Sequence, residues 1–242
     1  MTVLSVNVNK IALLRNSRGR NYPDLLLFIR KILALGVKGI TVHPRQDERH
    51  VTRQDVIEIT ELLKEYPGVE FNIEGYPSPE FLALIDRVRP AQCTLVPDAP
   101  DQLTSDHGWD VANTADILTP VLATLRASGV RSSLFLDPDP TLVEQVVAVG
   151  ADRIELYTEA YASAYGTQRQ EAVWQAYQAT AMKAQALHLG VNAGHDLDLH
   201  NLQRFLQIEG IAEVSIGHAL VVESLEQGLE SVIRQYLAIT GH

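Results

Sequence analysis

The chain has 242 residues, of which 46% are apolar and 21% are charged, a composition typical of globular proteins with a sizeable core. Its 20 basic and 30 acidic residues give a formal net charge of −10, which disfavours non-specific binding to nucleic acid or to an anionic membrane. The single cysteine, Cys93, excludes an intrachain disulfide and a thiolate metal cluster, and we expect it to be a buried thiol.

Short β-rich runs alternate with amphipathic stretches of helical period along the whole chain. Strands are predicted over Val3–Asn9, Gly39–Pro44, Val69–Gly75, Gln92–Asp98, Arg131–Asp137, Arg153–Thr158, Gly190–Gly194 and Glu213–His218. Helices are predicted over Asp24–Leu35, Arg53–Lys64, Pro79–Val88, Thr114–Ala127, Thr141–Val149, Gln168–Leu187, Leu199–Gln207 and Leu220–Leu237. Strict β-α alternation implies a parallel sheet. Eight such units in a chain of this length favour an α/β fold made of one closed (β/α)8 TIM barrel, a single domain over residues 1–242.

The first residues of the chain and its apolar runs bear on the expected cellular location of the protein. Met1–Ser5 lacks a basic region followed by a long apolar run, so no signal peptide is predicted. No apolar run approaches the ~20 residues that a membrane helix needs. Together with the single cysteine, these features favour a cytoplasmic protein without a membrane partner.

Polar residues inside the predicted strands indicate a functional barrel interior. In Phe71-Asn72-Ile73-Glu74 the apolar residues should face the helices, which turns Asn72 and Glu74 inward. The same alternation places further polar side chains inside the barrel: Asn7, Asn9, Thr41, His43, Arg153 and Glu155. Burying an unpaired carboxylate is costly, so this convergence predicts an active site. The alternative is an internal salt bridge of Arg153 with Glu155 or Glu74.

Histidines are concentrated where a barrel active site is expected. Active sites of these barrels lie at the C-terminal ends of the strands. His43, His195 and His218 lie at predicted strand ends, and His50 lies in the loop after the second strand. They could supply metal nitrogens, but no HExxH motif or close ligand pair is present, so no metal is predicted.

Glycines and arginines near the same strand ends predict binding of phosphate. Gly194 and Gly217 follow the last two strands, where backbone amides commonly bind phosphate in such barrels. Arginines follow the first two strands, at Arg15, Arg18, Arg20, Arg45 and Arg49. Their guanidinium groups match phosphate geometry. The alternative is that these are ordinary solvated loops.

Several motifs in order along the chain resemble one known family. They are Val6–Ala12 with Leu14–Gly19, Gly39–Arg45 with Asp47–His50, Phe71–Glu74, Leu95–Asp98, Val191–His195 and Ile216–Ala219. Together, from Val3 to Leu237, they resemble the pyridoxine 5'-phosphate synthase family of vitamin B6 biosynthesis. The resemblance implies condensation of 3-amino-2-oxopropyl phosphate with 1-deoxy-D-xylulose 5-phosphate, releasing phosphate and water. It also implies no metal or organic cofactor and a homo-octamer.

The resemblance also implies roles for individual residues. His43 and Glu74 would be proton acceptors, and His195 would be the proton donor. The deoxyxylulose phosphate would be held by Asn9, Lys10, Arg45, His50 and Thr104. The amino-ketone phosphate would be held by Asn7, Arg18, Gly194, Gly217 and His218.

Two departures from the family pattern change the expected site. Asn9-Lys10 stands where many members carry Asp-His, so an ammonium replaces an imidazole near the deoxyxylulose phosphate. Asp196 follows His195 where glycine is common, and a carboxylate there favours the protonated form of the histidine. Unchanged kinetics in Lys10→His or Asp196→Gly variants would refute either hypothesis.

Two other functions remain open from the sequence. One is a phosphosugar aldolase or isomerase in which Lys10 forms a Schiff base. The other is a barrel that binds phosphorylated metabolites without catalysis. The polar segment Pro97–Gly108, which contains Thr104 and Ser105, is the candidate for a lid over the site.

Overall fold

Eight parallel strands form a closed barrel, which confirms the predicted (β/α)8 architecture. The computed structural model describes residues 1–98, 102 and 104–241. Each strand pairs with the next in sequence, and the last pairs with the first. The strands are β1 Val3–Asn7, β2 Gly39–Val42, β3 Glu70–Gly75, β4 Gln92–Leu95, β5 Arg131–Leu136, β6 Arg153–Tyr157, β7 Gly190–Gly194 and β8 Ile211–Ile216.

The helices surround the barrel between successive strands. They are α1 Asn9–Asn16, α2 Leu25–Ala34, α3 Arg53–Leu63, α4 Pro79–Val88, α5 Val111–Ala127, α6 Val143–Val149, α7 Glu159–Ala164, α8 Gln170–Ala186, α9 Leu202–Phe205, α10 His218–Gln227 and α11 Leu229–Thr240. Capping residues in the local sequence define the N-termini of several helices. Thr52 and Asp55 form a reciprocal capping box at α3, and Ser78 accepts a hydrogen bond from the Phe81 amide at α4. No described helix has the combined length and hydrophobicity needed to span a bilayer.

The predicted boundaries are wrong at several places next to the site. The first strand ends at Asn7, because the Asn9 amide donates to Asn7 Oδ1 at 3.0 Å and Asn9 begins α1. The prediction that Asn9 projects from a strand is therefore wrong. The last strand ends at Ile216, so His218 begins a helix instead of ending a strand. The predicted helix Leu220–Leu237 is two helices, since Gly228 has a φ of +82° between α10 and α11. Helices α1 and α7 were not predicted.

Alternation along the strands separates two different environments. Helix-facing strand residues such as Ile40, Ile73 and Ile154 are fully buried and pack with helix residues into one hydrophobic core. Each such side chain contributes about 1.5–3 kcal/mol by burial. The residues that alternate with them point into the barrel and are largely polar. The hydrophobic core therefore lies between the strands and the surrounding helices, and the polar interior of the barrel is available for an active site.

Hydrogen bonds connect the polar side chains across the middle of the barrel. Ser5 and Thr41 are joined at 2.7 Å, and Asn72 donates to Thr41 at 3.4 Å. The Thr94 hydroxyl lies 3.0 Å from Asn72 Oδ1 and 3.2 Å from Glu155 Oε2. Because these groups are buried, the network satisfies hydrogen bonds that would otherwise be lost on folding. It also links the lower barrel to the carboxyl of Glu155.

A second polar layer fills the N-terminal end of the barrel. Gln92 accepts hydrogen bonds from Arg131 at 3.0 Å and from Asn192 at 3.1 Å, and it donates to Glu213 at 3.2 Å. Arg131 also forms an ion pair with Glu70. Burial raises the pKa of Glu213 to about 7. Side chains therefore fill the N-terminal end of the barrel, so this end does not serve as the substrate site.

Arg153 belongs to this N-terminal layer and not to the active-site end. Its guanidinium donates to Asn192 Oδ1 at 3.0 Å. Among the described residues, the ion pairs of the barrel do not join Arg153 to Glu155 or to Glu74. The alternative in which an internal salt bridge explains these two glutamates is therefore wrong.

Candidate active site

A cavity of about 620 Å³ opens at the C-terminal ends of the strands. Most of the residues predicted to form the site line it: Asn7, Asn9, Lys10, His43, Arg45, His50, Glu74, Thr104, His195, Gly217 and His218. Arg18 and Gly194 do not. Arg18 is exposed beyond the end of α1, and Gly194 lies against the Glu155 carboxyl, where a Cβ would be 2.4 Å from Oε1. Glycine at position 194 thus leaves room for Glu155.

His43 and Glu74 extend from neighbouring strands and form the acid–base centre of the cavity. His43 Nδ1 lies 3.8 Å from Glu74 Oε2, to which Asn7 Nδ2 donates a hydrogen bond at 3.4 Å. Burial lowers the pKa of His43 well below its ordinary value, and the nearby charge of Arg45 lowers it further. The imidazole is therefore neutral at neutral pH, so the contact is not an ion pair. A neutral imidazole can accept a proton from substrate.

Two carboxyls face the same cavity: Glu155, which is buried, and Glu74, whose side chain is 13% exposed. Burial raises the pKa of Glu74 well above its ordinary value, and the charge of Glu155 raises it further. Burial and the charge of Glu213 raise the pKa of Glu155 to about 8. Two carboxylates in one poorly solvated site do not readily ionise together. The pair therefore retains a proton near neutral pH and can both give and take protons.

The alternation of Arg153-Ile154-Glu155 predicted that Glu155 points into the barrel, but no catalytic or binding role was predicted for it. It lies in the middle of β6 and not at its end. The rule that a carboxylate is rarely buried without a role was the signal that could have identified it.

One side of the cavity carries a cluster of basic and imidazole groups: Lys10, Arg45, Arg49 and His50. Burial lowers the pKa of His50 to about 4, and the charges of Arg45 and Lys10 add to the effect. The Val51 amide donates to His50 Nδ1 at 3.0 Å, so the proton of the neutral ring is on Nε2. His50 can therefore donate a hydrogen bond to an anion on this side.

Asn9 joins this basic side to the acid–base centre. Its Oδ1 accepts a hydrogen bond at 3.0 Å from the backbone amide of His43, which fixes the end of β2 against the start of α1. Lys10 follows in the first turn of α1 and lines the cavity. Asn9 thus supports the position of His43 through the backbone, and the adjacent ammonium adds positive charge.

A second part of the cavity, at the end of β8 next to β1, is the N-terminus of α10. Gly217 precedes the helix and His218 is its first residue. A Cβ at Gly217 would lie 2.9 Å from Asn7 Cβ, so only glycine lets the helix approach β1 this closely. Backbone amides and the helix dipole favour an anion at such a terminus. The cavity that holds the acid–base centre therefore contains two groups suited to bind anions, the basic cluster and the N-terminus of α10.

His195 lies above the cavity on the turn after β7. Its Nε2 is 3.1 Å from Thr104 Oγ1, its Nδ1 is 2.8 Å from Asp196 Oδ2, and its ring packs edge-on against Tyr157 at 5.0 Å between centroids. Thr104 and Ser105 come from the segment predicted as a lid, which includes residues 99–101 and 103 outside the described part of the chain. The lid remains a prediction.

Arg49, one of the arginines predicted to bind phosphate, lines the cavity, as do Ser215, Phe135 and Asp196, which were not predicted to contact substrate. Ser215 and Phe135 lie within strands whose sequences carry no feature that marks them as site residues. Among the described residues, no group of three or more histidine, cysteine or acidic side chains is arranged to hold a metal ion.

The fold and the site together define a class: (β/α)8-barrel enzymes that carry out acid–base chemistry on anionic small molecules. Among solved structures, a mutant tryptophan synthase α-subunit from Pyrococcus furiosus has a similar fold. Its TM-score is 0.65 at 13% identity, over 100% of this chain and 98% of that one. At this identity the likeness shows the fold alone.

Sequence comparison identifies the family. The family model described as "Pyridoxal phosphate biosynthesis protein PdxJ" matches residues 4–242, and the chain belongs to this family. A pyridoxine 5'-phosphate synthase of Leptospira biflexa is 48% identical over 252 residues, covering 99% of this chain and 97% of the relative. One from Porphyromonas gingivalis is 51% identical over 237 residues, covering 98% of each chain. The resemblance seen in the sequence motifs is thereby confirmed.

Proposed function

We propose that the chain is a pyridoxine 5'-phosphate synthase that condenses 3-amino-2-oxopropyl phosphate with 1-deoxy-D-xylulose 5-phosphate. The observation that carries the proposal is that Glu74, Glu155 and His43 line one cavity, with the His43 ring 3.8 Å from Glu74 and with the pKa of both carboxyls raised. The same cavity contains two groups suited to bind anions, which supports two phosphorylated substrates. The names of the relatives support the same reaction.

Each anion-binding side takes one substrate. The basic side binds the deoxyxylulose phosphate through Asn9, Lys10, Arg45, His50 and Thr104. The α10 side binds the amino-ketone phosphate through Asn7, Gly217 and His218, whereas Arg18 and Gly194, also predicted for this phosphate, do not line the cavity. The helix terminus supplies backbone amides for the amino-ketone phosphate, and side chains supply the donors for the deoxyxylulose phosphate. We expect both reacting carbons to lie near Glu74.

The chemistry requires protons to be moved at carbons beside a carbonyl or an imine. The amine of one substrate attacks the ketone of the other, and water leaves as the imine forms. His43, neutral at working pH, and the ionised fraction of Glu74 accept protons from carbon. His195 donates a proton to a departing hydroxyl group. Each well-placed acid or base contributes roughly 10²–10⁴ in rate.

Several further properties belong to this proposal. No metal or organic cofactor takes part, and the partners are the two phosphorylated small molecules, with no nucleic acid or membrane. The chain forms one domain, works in the cytoplasm and assembles as a homo-octamer.

The proposal is tested by following phosphate release and product formation with each substrate alone and with both together. We expect stoichiometric phosphate and pyridoxine 5'-phosphate only when both substrates are present. Phosphate release from a single substrate, or covalent trapping on Lys10 by borohydride, would contradict the synthase function and favour an aldolase.

A further inference from the structure

The turn after β7 has an unusual backbone at two consecutive residues. His195 has a φ of +82° and Asp196 a φ of +60°, in the left-handed region that residues other than glycine seldom adopt. Strained backbone of this kind persists only where the surrounding structure holds it, and it is concentrated at functional sites. The backbone of this turn therefore indicates a functional role for His195 and Asp196.

Buried side chains hold this strained turn from below. The Thr158 hydroxyl donates to the carbonyl of Gly194 at 2.8 Å and also to that of His195. Asn201 Nδ2 donates to the Asp196 carbonyl at 3.1 Å. Thr158 and Asn201 are almost completely buried. The conformation is thus fixed by contacts that belong to the barrel.

The result of the turn is that the two nitrogens of His195 have different partners. Nδ1 lies 2.8 Å from Asp196 Oδ2, and Nε2 lies 3.1 Å from Thr104 Oγ1 at the cavity. Tyr157 packs against the ring and limits its rotation. The hydrogen bond from His195 is the main cause that lowers the pKa of Asp196, so this side chain is a carboxylate and can only accept.

We propose that Asp196 is a positioning residue for His195: it accepts a hydrogen bond from Nδ1–H, and this makes Nε2 the nitrogen that exchanges protons with substrate. The inference rests on the proposed function and deepens it. In the dehydration step, a carbon–hydrogen bond gives its proton to Glu74 or His43, and its electron pair forms the new double bond. The carbon–oxygen bond breaks, the oxygen takes the Nε2 proton of His195, and water leaves. His195 is then neutral with its proton on Nδ1, and Asp196 stays ionised throughout.

Two variants separate positioning from folding. Asp196→Gly removes the carboxylate and accepts the positive φ without strain, so the fold is retained. Asp196→Asn also tolerates this region, and its amide can either accept from Nδ1 or donate to it, so the fixed preference for one tautomer is lost. Asp116→Asn, on the exposed face of α5, is the control for loss of one negative charge.

The direct readout is the tautomer of His195 in the substrate-free protein, from ¹⁵N NMR of the imidazole. The resonances are assigned by their absence in His195→Gln. We expect the proton of the neutral ring on Nδ1 in the wild type and the Asp116→Asn control. It should move toward Nε2 in Asp196→Gly, which has no side-chain acceptor for Nδ1. An unchanged tautomer in Asp196→Gly would overturn the proposal.

The kinetic experiment measures kcat and KM separately for each variant. We expect kcat to fall about tenfold or more in both Asp196 variants, as part of what a general acid contributes. The fall should be larger in Asp196→Gly, with KM for both substrates nearly unchanged and melting temperatures no lower than that of the wild type. Wild-type kcat in both variants would overturn the proposal. If the wild type does not turn over, the proposed function fails, while the tautomer measurement still decides the role of Asp196.

Discussion

The guanidinium of Arg45 lies 2.5 Å from Oδ2 of Asp98, and both side chains are almost completely buried, with 9% and 4% of their surfaces exposed. Arg45 also donates to the Gln102 carbonyl at 2.9 Å, and the Ser105 hydroxyl donates to the same Asp98 oxygen at 2.8 Å. A proposed phosphate ligand is therefore also the connection between the loop after β2 and the segment after β4. The strength of this pair bears on both stability and binding.

We expect strong coupling between Arg45 and Asp98. Removing one partner of a buried ion pair leaves the other charge uncompensated, which costs about 3–5 kcal/mol. Arg45→Met and Asp98→Ala should each lower the free energy of unfolding by this order, and the double variant should lose much less than the sum. Urea unfolding of all four proteins measures the coupling. Lys64→Ala breaks an exposed pair with Glu61 and should cost at most about 1 kcal/mol. Additive losses at Arg45 and Asp98 would contradict the buried-pair account.

Lys10 should contribute to substrate binding and not to covalent catalysis. It lines the cavity on the basic side, and its charge is one cause of the lowered pKa of His50. We expect Lys10→Met to raise KM for the deoxyxylulose phosphate more than it lowers kcat, as expected when ground-state binding is lost. Lys10→Arg, which keeps the charge, should recover most of the affinity. A loss confined to kcat would indicate a chemical role for the amine.

Glu213 should make the stability of the barrel depend on pH. Its pKa is about 7 in the folded protein against an ordinary value of 4.5, because burial disfavours the charged form. The folded state therefore binds this proton more tightly than the unfolded chain. The stability from this group is complete below pH 4.5 and is lost as pH rises through about 7.

Glu213→Gln should remove that dependence. We expect the variant to unfold at nearly the same free energy as the wild type at pH 5 and to be more stable at pH 8.5, by up to about 3 kcal/mol. Urea unfolding at the two pH values measures the difference. Glu209→Gln changes an exposed glutamate just before the same strand and is the matched control. Equal effects of the two substitutions at pH 8.5 would show that burial of Glu213 is not the cause.

The sequence predicted the architecture and most of the cavity, because both depend on simple periodicity. Alternation in Phe71-Asn72-Ile73-Glu74 identified which side chains enter the barrel, and the strand ends identified His43, His195 and His218. Those inferences need only that parallel strands end on the same side of the barrel.

The details that sequence reasoning missed depend on contacts between distant residues. The end of β1 is set by the Asn7 side chain capping the following turn, which local propensity does not reveal. The raised pKa of Glu74 depends in part on the charge of Glu155, which comes from a strand that is not adjacent in the barrel. The pairing of Arg45 with Asp98 likewise requires the folded loops.

The most direct test of this account compares wild type and Glu74→Gln for pyridoxine 5'-phosphate formation and phosphate release from the two substrates, with EDTA present. Glutamine preserves the shape of the side chain but cannot accept a proton from carbon. We expect turnover by the wild type and a fall in kcat of about 10²–10⁴ in the variant. Both proteins should retain the same melting temperature and phosphate affinity. Wild-type rates in Glu74→Gln, or no turnover by the folded wild type, would contradict the proposed acid–base centre.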